Sequence, residues 1–293
     1  MGWDLLINGV SLGLLYGLIA TGYSMIWSTA SILHFAHGQF VMLGGFIALS
    51  LIRWHGGALA NQPVFVLLMV ATGVGAFGLF VQRYAYMRIP IENFRTRVIT
   101  TVGVGQTIQA ASSLIWGSRA FTLPDGFFTG SSVKLADTMI TPAYYWILGA
   151  SVIADAGLIY LLYRTKAGLG LRAVAARPDV AELVGVNSTA MYMFAFVLGS
   201  AIAGMTGVLI APITFIRFDL GLAITVKGFA SAVIGGLGDF SGAIIGGLLI
   251  GLAEAFGGWI SPEYKDLMVF VFLLSVIAFK PQGLLGRASV QKV

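Results

Sequence analysis

Long apolar runs, separated by short polar or basic segments, fill this chain from end to end. Runs at 5–27, 63–82, 98–117, 143–163, 191–212 and 243–259 come close to or reach the ~20 residues that a helix needs to cross a ~30 Å hydrocarbon core. Three others, 38–52, 222–237 and 266–279, are equally apolar but shorter. Short or glycine-interrupted apolar segments are expected where a membrane helix is discontinuous and lines a cavity. The pattern therefore predicts an all-α polytopic membrane bundle of about nine spans, within a range of roughly eight to ten. It reads as one domain over 1–293 with discontinuous helices. A faint echo between "HGQFVMLGGF" (37–46) and "DFSGAIIGGL" (239–248) suggests pseudo-symmetric halves.

Polar positions inside the runs are the informative ones. "SILHFAHGQF" (31–40) sets His34, His37 and Gln39 beside a helix-breaking Gly38 between two greasy stretches. Irregular backbone cannot face lipid, so a helix break here must be buried in protein or border a wet path; a polar interfacial turn is the other reading. His34 and His37 have no third ligand nearby, so no metal site is predicted. Gln106, Gln109 and Ser113 fall on one helical face and either hydrogen-bond between helices or line a path. Asp155, Lys227 and Glu254 are ionisable groups within spans, which are costly unless paired or wet. Lys227 and Glu254 lie at similar depths from the ends of neighbouring spans and can pair; Asp155 has no evident partner.

Composition fits this picture. The chain is 58% hydrophobic and 10% charged, against the ~25% charged of a soluble domain. It has no cysteine and therefore no thiol chemistry. The start "MGWDLLING" lacks the basic region of a secretory signal, and Leu6 breaks the myristoylation pattern, so the first run reads as a retained span. Eleven of the seventeen Lys and Arg residues cluster in 83–97, 164–190 and the tail from Lys280, which includes Arg287 and Lys292. By the positive-inside rule all three face the cytoplasm. Two spans separate the first from the second and four the second from the tail, so the count is self-consistent and places the N-terminus outside. The net charge of +5 is thus topological, and no nucleic-acid partner is predicted. Arg53, Arg119 and Arg217 fall in outward loops, as interfacial anchors or as contacts for an acidic partner protein.

Two enzyme-like patterns fail on context. "GVSLG" (9–13) matches a hydrolase elbow and "GVGAFG" (73–78) a dinucleotide fingerprint, but both lie within spans with no preceding strand. Gly9, Gly13 and Gly17 instead mark a close-packing helix face. No Lys follows a Gly, so the chain has no Walker A sequence. Within the basic segment 164–190, which contains Arg172, Pro178 suits a helix start, Glu182 its first turns and Gly185 its stop. Val180, Leu183 and Val184 give this short cytoplasmic helix an apolar face. A helix that short is unstable alone; its face packs on the membrane surface or in a groove on a soluble subunit.

The blocks "LINGVSLGLLYGLIATGYSMIW", "ILHFAHGQFVMLGGF", "LRAVAARPDVAELVGVN", "GFASAVIGGLGDFSGAIIGGLLIG" and "KPQGLLGR" follow one another in this chain. Together they resemble the permease subunits of branched-chain amino acid ABC importers, of the H type. The resemblance implies a pore formed with a homologous second permease, two cytoplasmic ABC ATPases docked on short coupling helices, a periplasmic solute-binding protein, and an inner-membrane location. ATP would be bound by the ATPases, with no cofactor on this chain. It assigns 178–185, with Arg172, to ATPase docking, and His34, His37 and Gln39 to the solute path. Gln39 stands where relatives carry Glu or Asp, so cargo identity does not carry over with it; urea, short-amide and aromatic-acid importers share the block. The competing class is a self-contained channel or secondary carrier. A carrier would hold coupling groups at mid-membrane, where only Asp155 qualifies, and a channel has no need of the helix near 178–184.

Overall fold

The computed structural model describes residues 2–90, 93–135 and 138–286; Arg287 and Lys292 lie outside them. Nine helices coincide, within a few residues, with the nine apolar runs: α1 Gly2–Ala30, α2 His37–Trp54, α3 Pro63–Val81, α4 Phe94–Trp116, α5 Pro142–Arg164, α8 Ser188–Thr214, α9 Leu220–Gly235, α10 Phe240–Ile260 and α11 Tyr264–Phe279. Two more, α6 Lys166–Ala176 and α7 Pro178–Leu183, occupy the basic segment. One hairpin, β1 Val133–Leu135 with β2 Thr138–Ile140, lies between α4 and α5. Six helices (α1, α3, α4, α5, α8 and α10) are long and apolar enough to cross a membrane. The shorter α2, α9 and α11 fall where the short runs predicted discontinuity. α1 outlasts its apolar run because the hydroxyls of Ser28 and Thr29 donate to Met25 O, at 3.2 and 2.8 Å, and so remain satisfied within the helix.

The helices form two interlocked halves. α1 packs most heavily on α10, and α8 on α3; α1 also meets α8, and α2 meets α9. These pairs exchange if α1–α2–α3 is equated with α8–α9–α10. Neighbouring helices alternate in direction, so the two halves run oppositely, an inverted repeat. The backbone carries the same signature. Ser31 (φ 51°) and Phe215 (φ 59°) are, among the described residues, the non-glycine residues with positive φ, and each stands one residue after its helix, α1 or α8. Each opens a short irregular segment leading to a short helix. The repeat thus equates α2 with α9, whereas the echo between 37–46 and 239–248 aligns α2 with α10. Glycines of both stretches, Gly44 and Gly45 on α2 and Gly246 and Gly247 on α10, make close interhelical contacts, so the echo coincides with close packing.

Glycine makes the close approach possible. Gly9, Gly13 and Gly17 face α10: a Cβ at Gly13 would lie 2.7 Å from Leu248 Cα, and one at Gly17 3.2 Å from Ile244 Cα. From α10, Gly247 and Gly251 press on the backbone of Gly17 and Gly13. "GVGAFG" serves the equivalent seam, with Gly75 against Val197 and Gly78 against Ser200 of α8. In lipid such contact gains dispersion that side-chain burial cannot supply, because the surrounding solvent is already apolar.

The basic segments gather at one end. Arg97 donates to Ala30 O at the end of α1, Arg172 and Tyr163 line one cavity with Trp27, and the turn after α11 donates from Leu284 to Ile234 O and from Leu285 to Gly235 O at the end of α9.

The glycine seam generates the first prediction. Gly13→Leu should force α1 and α10 apart at a cost of about 1–3 kcal/mol, read as a lowered melting temperature and a poorer monodisperse yield in detergent. Gly73→Ala, whose added carbon meets nothing within 4 Å, should behave as wild type. Equal melting of Gly13→Leu and wild type would contradict the seam.

Candidate functional site

The break between α1 and α2 is built into the middle of the bundle. After Ala30 the chain turns back: residues 31–36 climb beside α1, so that His37, the first residue of α2, lies against Gly22, eight residues above the end of α1. The freed backbone groups are then claimed by side chains of other helices. Thr101 of α4 accepts from Phe35 N at 3.3 Å and lies 3.0 Å from Leu33 O. Thr225 of α9 accepts from Gly38 N at 3.0 Å and shares its proton between Gly221 O at 2.9 Å and Phe35 O at 3.2 Å. Arg97 holds Ala30 O at 2.8 Å while also donating to Ile89 O. A buried backbone group left unpaired costs about 1–3 kcal/mol, so these three side chains are what allow the break.

The polar residues of "LHFAHGQF" are enclosed by this arrangement. His34 and His37 are fully buried and Gln39 nearly so. His34 sits among rings, with centroids 5.3 Å from Phe40, 5.5 Å from Tyr86, 5.2 Å from Phe196 and 5.7 Å from His37; neither of its nitrogens has a hydrogen-bond partner among the described residues. His37 is edge-on to Tyr23. Gln39 is wedged between Gly105 of α4 and Gly221 of α9; with its amide assigned the orientation that satisfies both ends, its nitrogen donates to Phe35 O and Ala36 O. Its polar group therefore serves the break.

On α4 the buried side is Arg97, Thr101, Gly105, Ile108 and Ser112, which faces α2 and the break. Gln106 is exposed on the other side, with Gln109 and Ser113 half-buried at its border; Ser113 satisfies itself by donating to Ala110 O at 2.8 Å. A glutamine exposed at mid-span is not compatible with lipid, so this side of α4 requires polar cover or water.

Of the intramembrane charges, Lys227 and Glu254 pair at 2.8 Å. The sequence did not reveal the rest of their network: Lys227 also reaches Asp266 of α11 at 3.0 Å, and Tyr16 of α1 donates to Glu254 at 2.8 Å. Four helices are thereby tied together. Asp155 is buried on α5, and neither carboxylate oxygen has a hydrogen-bond partner among the described residues.

At the basic end, α7 is a single short helix ended by Gly185 in the left-handed region (φ 84°). Ala181 is buried against the neighbouring helices, whereas Val180, Leu183 and Val184 are 46, 86 and 75% exposed. Pro178 and Glu182 are exposed beside them. Arg177 donates to Asp179 at 3.0 Å, and that hydrogen bond holds the Asp179 carboxyl below its usual range. Arg172 lies apart from this face, on α6, with its guanidinium 5.0 Å from the Tyr163 ring. At the opposite end a two-residue bridge, Phe121 with Ile216, brings the three outward arginines to one region. Arg53 lies 4.9 Å over the Phe121 ring, Arg119 is exposed two residues before it, and Arg217 follows Ile216. Arg217 is ion-paired with Asp219, which keeps that carboxyl below its usual range.

The sequence comparisons agree with this architecture. The family described as branched-chain amino acid transport system, permease component, matches residues 5–277. The high-affinity branched-chain amino acid transport system permease protein BraD of Pseudomonas aeruginosa is 33% identical over 98% of this chain and 97% of its own length. The corresponding protein LivH of Escherichia coli is 34% identical over 98% of this chain and 96% of its own. Among solved structures, PsaBC from Streptococcus pneumoniae in complex with Fab aligns with a TM-score of 0.49 at 15% identity, covering 94% of this chain and 90% of that one. With a family match over nearly its whole length and relatives above 30% identity, the chain belongs to the permease components of branched-chain amino acid transport systems.

Proposed function

We propose that this inner-membrane permease is one of two homologous subunits that form the pore of an ATP-driven importer of branched-chain amino acids. Two cytoplasmic ATPases supply the energy and bind the ATP, and a periplasmic binding protein delivers the cargo. The observation that carries this reading is α7. It offers Val180, Leu183 and Val184 uncovered at the basic end of the bundle, just after the exposed ion pair of Arg177 and Asp179. An apolar helix face of this size fits a groove on a soluble subunit. The chain carries no Walker A sequence, which supports assigning ATP hydrolysis to that subunit.

The solute path is assigned to the side of α4 that carries Gln106, Gln109 and Ser113, with the second permease facing it. His34, His37 and Gln39 stand behind that path, on the buried side of α4: they fix the break between α1 and α2, and Gly105 links it to α4. The arginine group at Arg53, Arg119 and Arg217 receives acidic residues of the binding protein, where rim charges govern association rate more than affinity.

Reconstitution tests the whole reading. Vesicles holding this chain, its partner permease and the ATPases should accumulate labelled leucine only with the binding protein outside and ATP inside; leucine uptake without either would overturn it. Leu183→Asp would bury a charge at the docking face, a cost of several kcal/mol (about 2 or more). ATPase recovery on affinity purification should fall at least tenfold while membrane insertion is normal, and undiminished recovery would remove α7 from the contact. Because the chain lacks cysteine, Gln106→Cys and His37→Cys can be labelled singly. A small water-soluble thiol reagent should modify the first in resting vesicles and the second far more slowly, with a change in rate during ATP turnover. Equal resting rates at the two positions would contradict the assignment.

A further inference from the structure

A cavity of about 620 Å³ opens at the basic end of the bundle, between α1, α5, α6 and the turn joining α9 to α10. Its lining carries two opposite charges from different elements, Arg172 and Asp239. Each keeps polar capacity that no described residue fills. The Arg172 guanidinium rests on the Tyr163 ring, its Nε is buried without a partner, and among the described residues it makes no ion pair. Asp239 accepts from Gly242 N through Oδ1 at 2.7 Å, capping α10, while Oδ2 receives no hydrogen bond from a described residue. Trp27 and Leu237 supply apolar wall between them.

This charge pattern selects its ligand. A simple anion would meet Arg172 but be repelled by Asp239; a simple cation would meet the reverse. A neutral solute would desolvate both charges and pair neither, which is unfavourable. A small zwitterion with an oxyanion and an ammonium group satisfies both at once, and the apolar wall suits an aliphatic side chain. We propose that this cavity is a low-affinity site for a free α-amino acid on the cytoplasmic side, through which accumulated product slows further import. The inference rests on the amino-acid cargo and the orientation proposed above. It goes beyond them by assigning a second, regulatory site away from α4.

A phospholipid headgroup with an ethanolamine shares the ammonium-and-oxyanion chemistry, so the experiment separates the two sources. The full-length chain in detergent, without binding protein, is titrated with radiolabelled leucine. Saturable binding in the millimolar range is expected. Arg172→Gln and Asp239→Asn should each weaken it at least tenfold; Asn retains the helix cap, so Asp239→Asn should melt as wild type does. Leucinol, which lacks the carboxylate, and 4-methylpentanoate, which lacks the ammonium, should fail to compete, and so should phosphoethanolamine. Displacement by phosphoethanolamine at equal potency would assign the cavity to lipid and overturn the proposal. Binding unaffected by both substitutions would overturn it too. In the reconstituted importer, leucine loaded with ATP inside the vesicles should slow uptake severalfold in wild type and not in Asp239→Asn. Uptake that proceeds without internal inhibition sinks this site alone, whereas absence of any leucine uptake sinks the cargo assignment.

Discussion

Every backbone N–H and C=O at membrane depth must find a partner inside the protein, because lipid offers none. That constraint governs the architecture of this permease wherever a helix stops short. α1 ends at Ala30 and α2 begins at His37, and the groups released between them are held by Arg97, Thr101 and Thr225 from helices distant in sequence. The break is therefore a joint of α1, α2, α4 and α9. The counterpart after α8, opened by Phe215, is secured by the Phe121–Ile216 bridge at the other end of the molecule. Two joints at equivalent positions, one after α1 and one after α8, are what an inverted repeat produces.

The remaining cohesion comes from close contact and from charge. Between α1 and α10 the backbones touch through glycine, which gives a rigid seam with no side chains to repack. At the outer end of the same helices, Lys227, Glu254, Asp266 and Tyr16 satisfy one another. Lys227 or Glu254 alone would be costly at that depth; with Tyr16 and the more exposed Asp266 they form a clasp, and removing either member of the central pair would strand the other. The seam and the clasp hold α1, α9, α10 and α11 as a unit. α4 and α7 lie outside it, and the cytoplasmic cavity opens at its edge, where α5 and α6 meet α1 and the α9–α10 turn. They are the parts with uncovered polar or apolar faces, and so the parts available for a partner subunit or a solute.

The sequence alone determined the fold class, the nine helices and their alternation, because apolar length and the placement of Arg and Lys respond to the bilayer and not to particular contacts. It also marked α7, since Pro178, Gly185 and an apolar face are local signals. It singled out His34, His37 and Gln39 as anomalous, and the glycines of α1 as a seam. Only the tertiary structure decided what these residues do. His34 is enclosed by Phe40, Tyr86 and Phe196, which come from three separate elements; Gln39 turns back to the carbonyls of Phe35 and Ala36, with Gly105 and Gly221 closed over it. Thr101 and Thr225 left no trace in the pattern, since a threonine within a span reads as a self-satisfied hydroxyl until a broken neighbour is brought against it. The pairing of α2 with α9 was likewise hidden, because the halves correspond in backbone shape and packing while running in opposite directions, with no matching side-chain pattern to mark it. Periodicity and charge report each segment's environment. Which segment supplies the missing hydrogen bond to another is fixed only when the bundle closes.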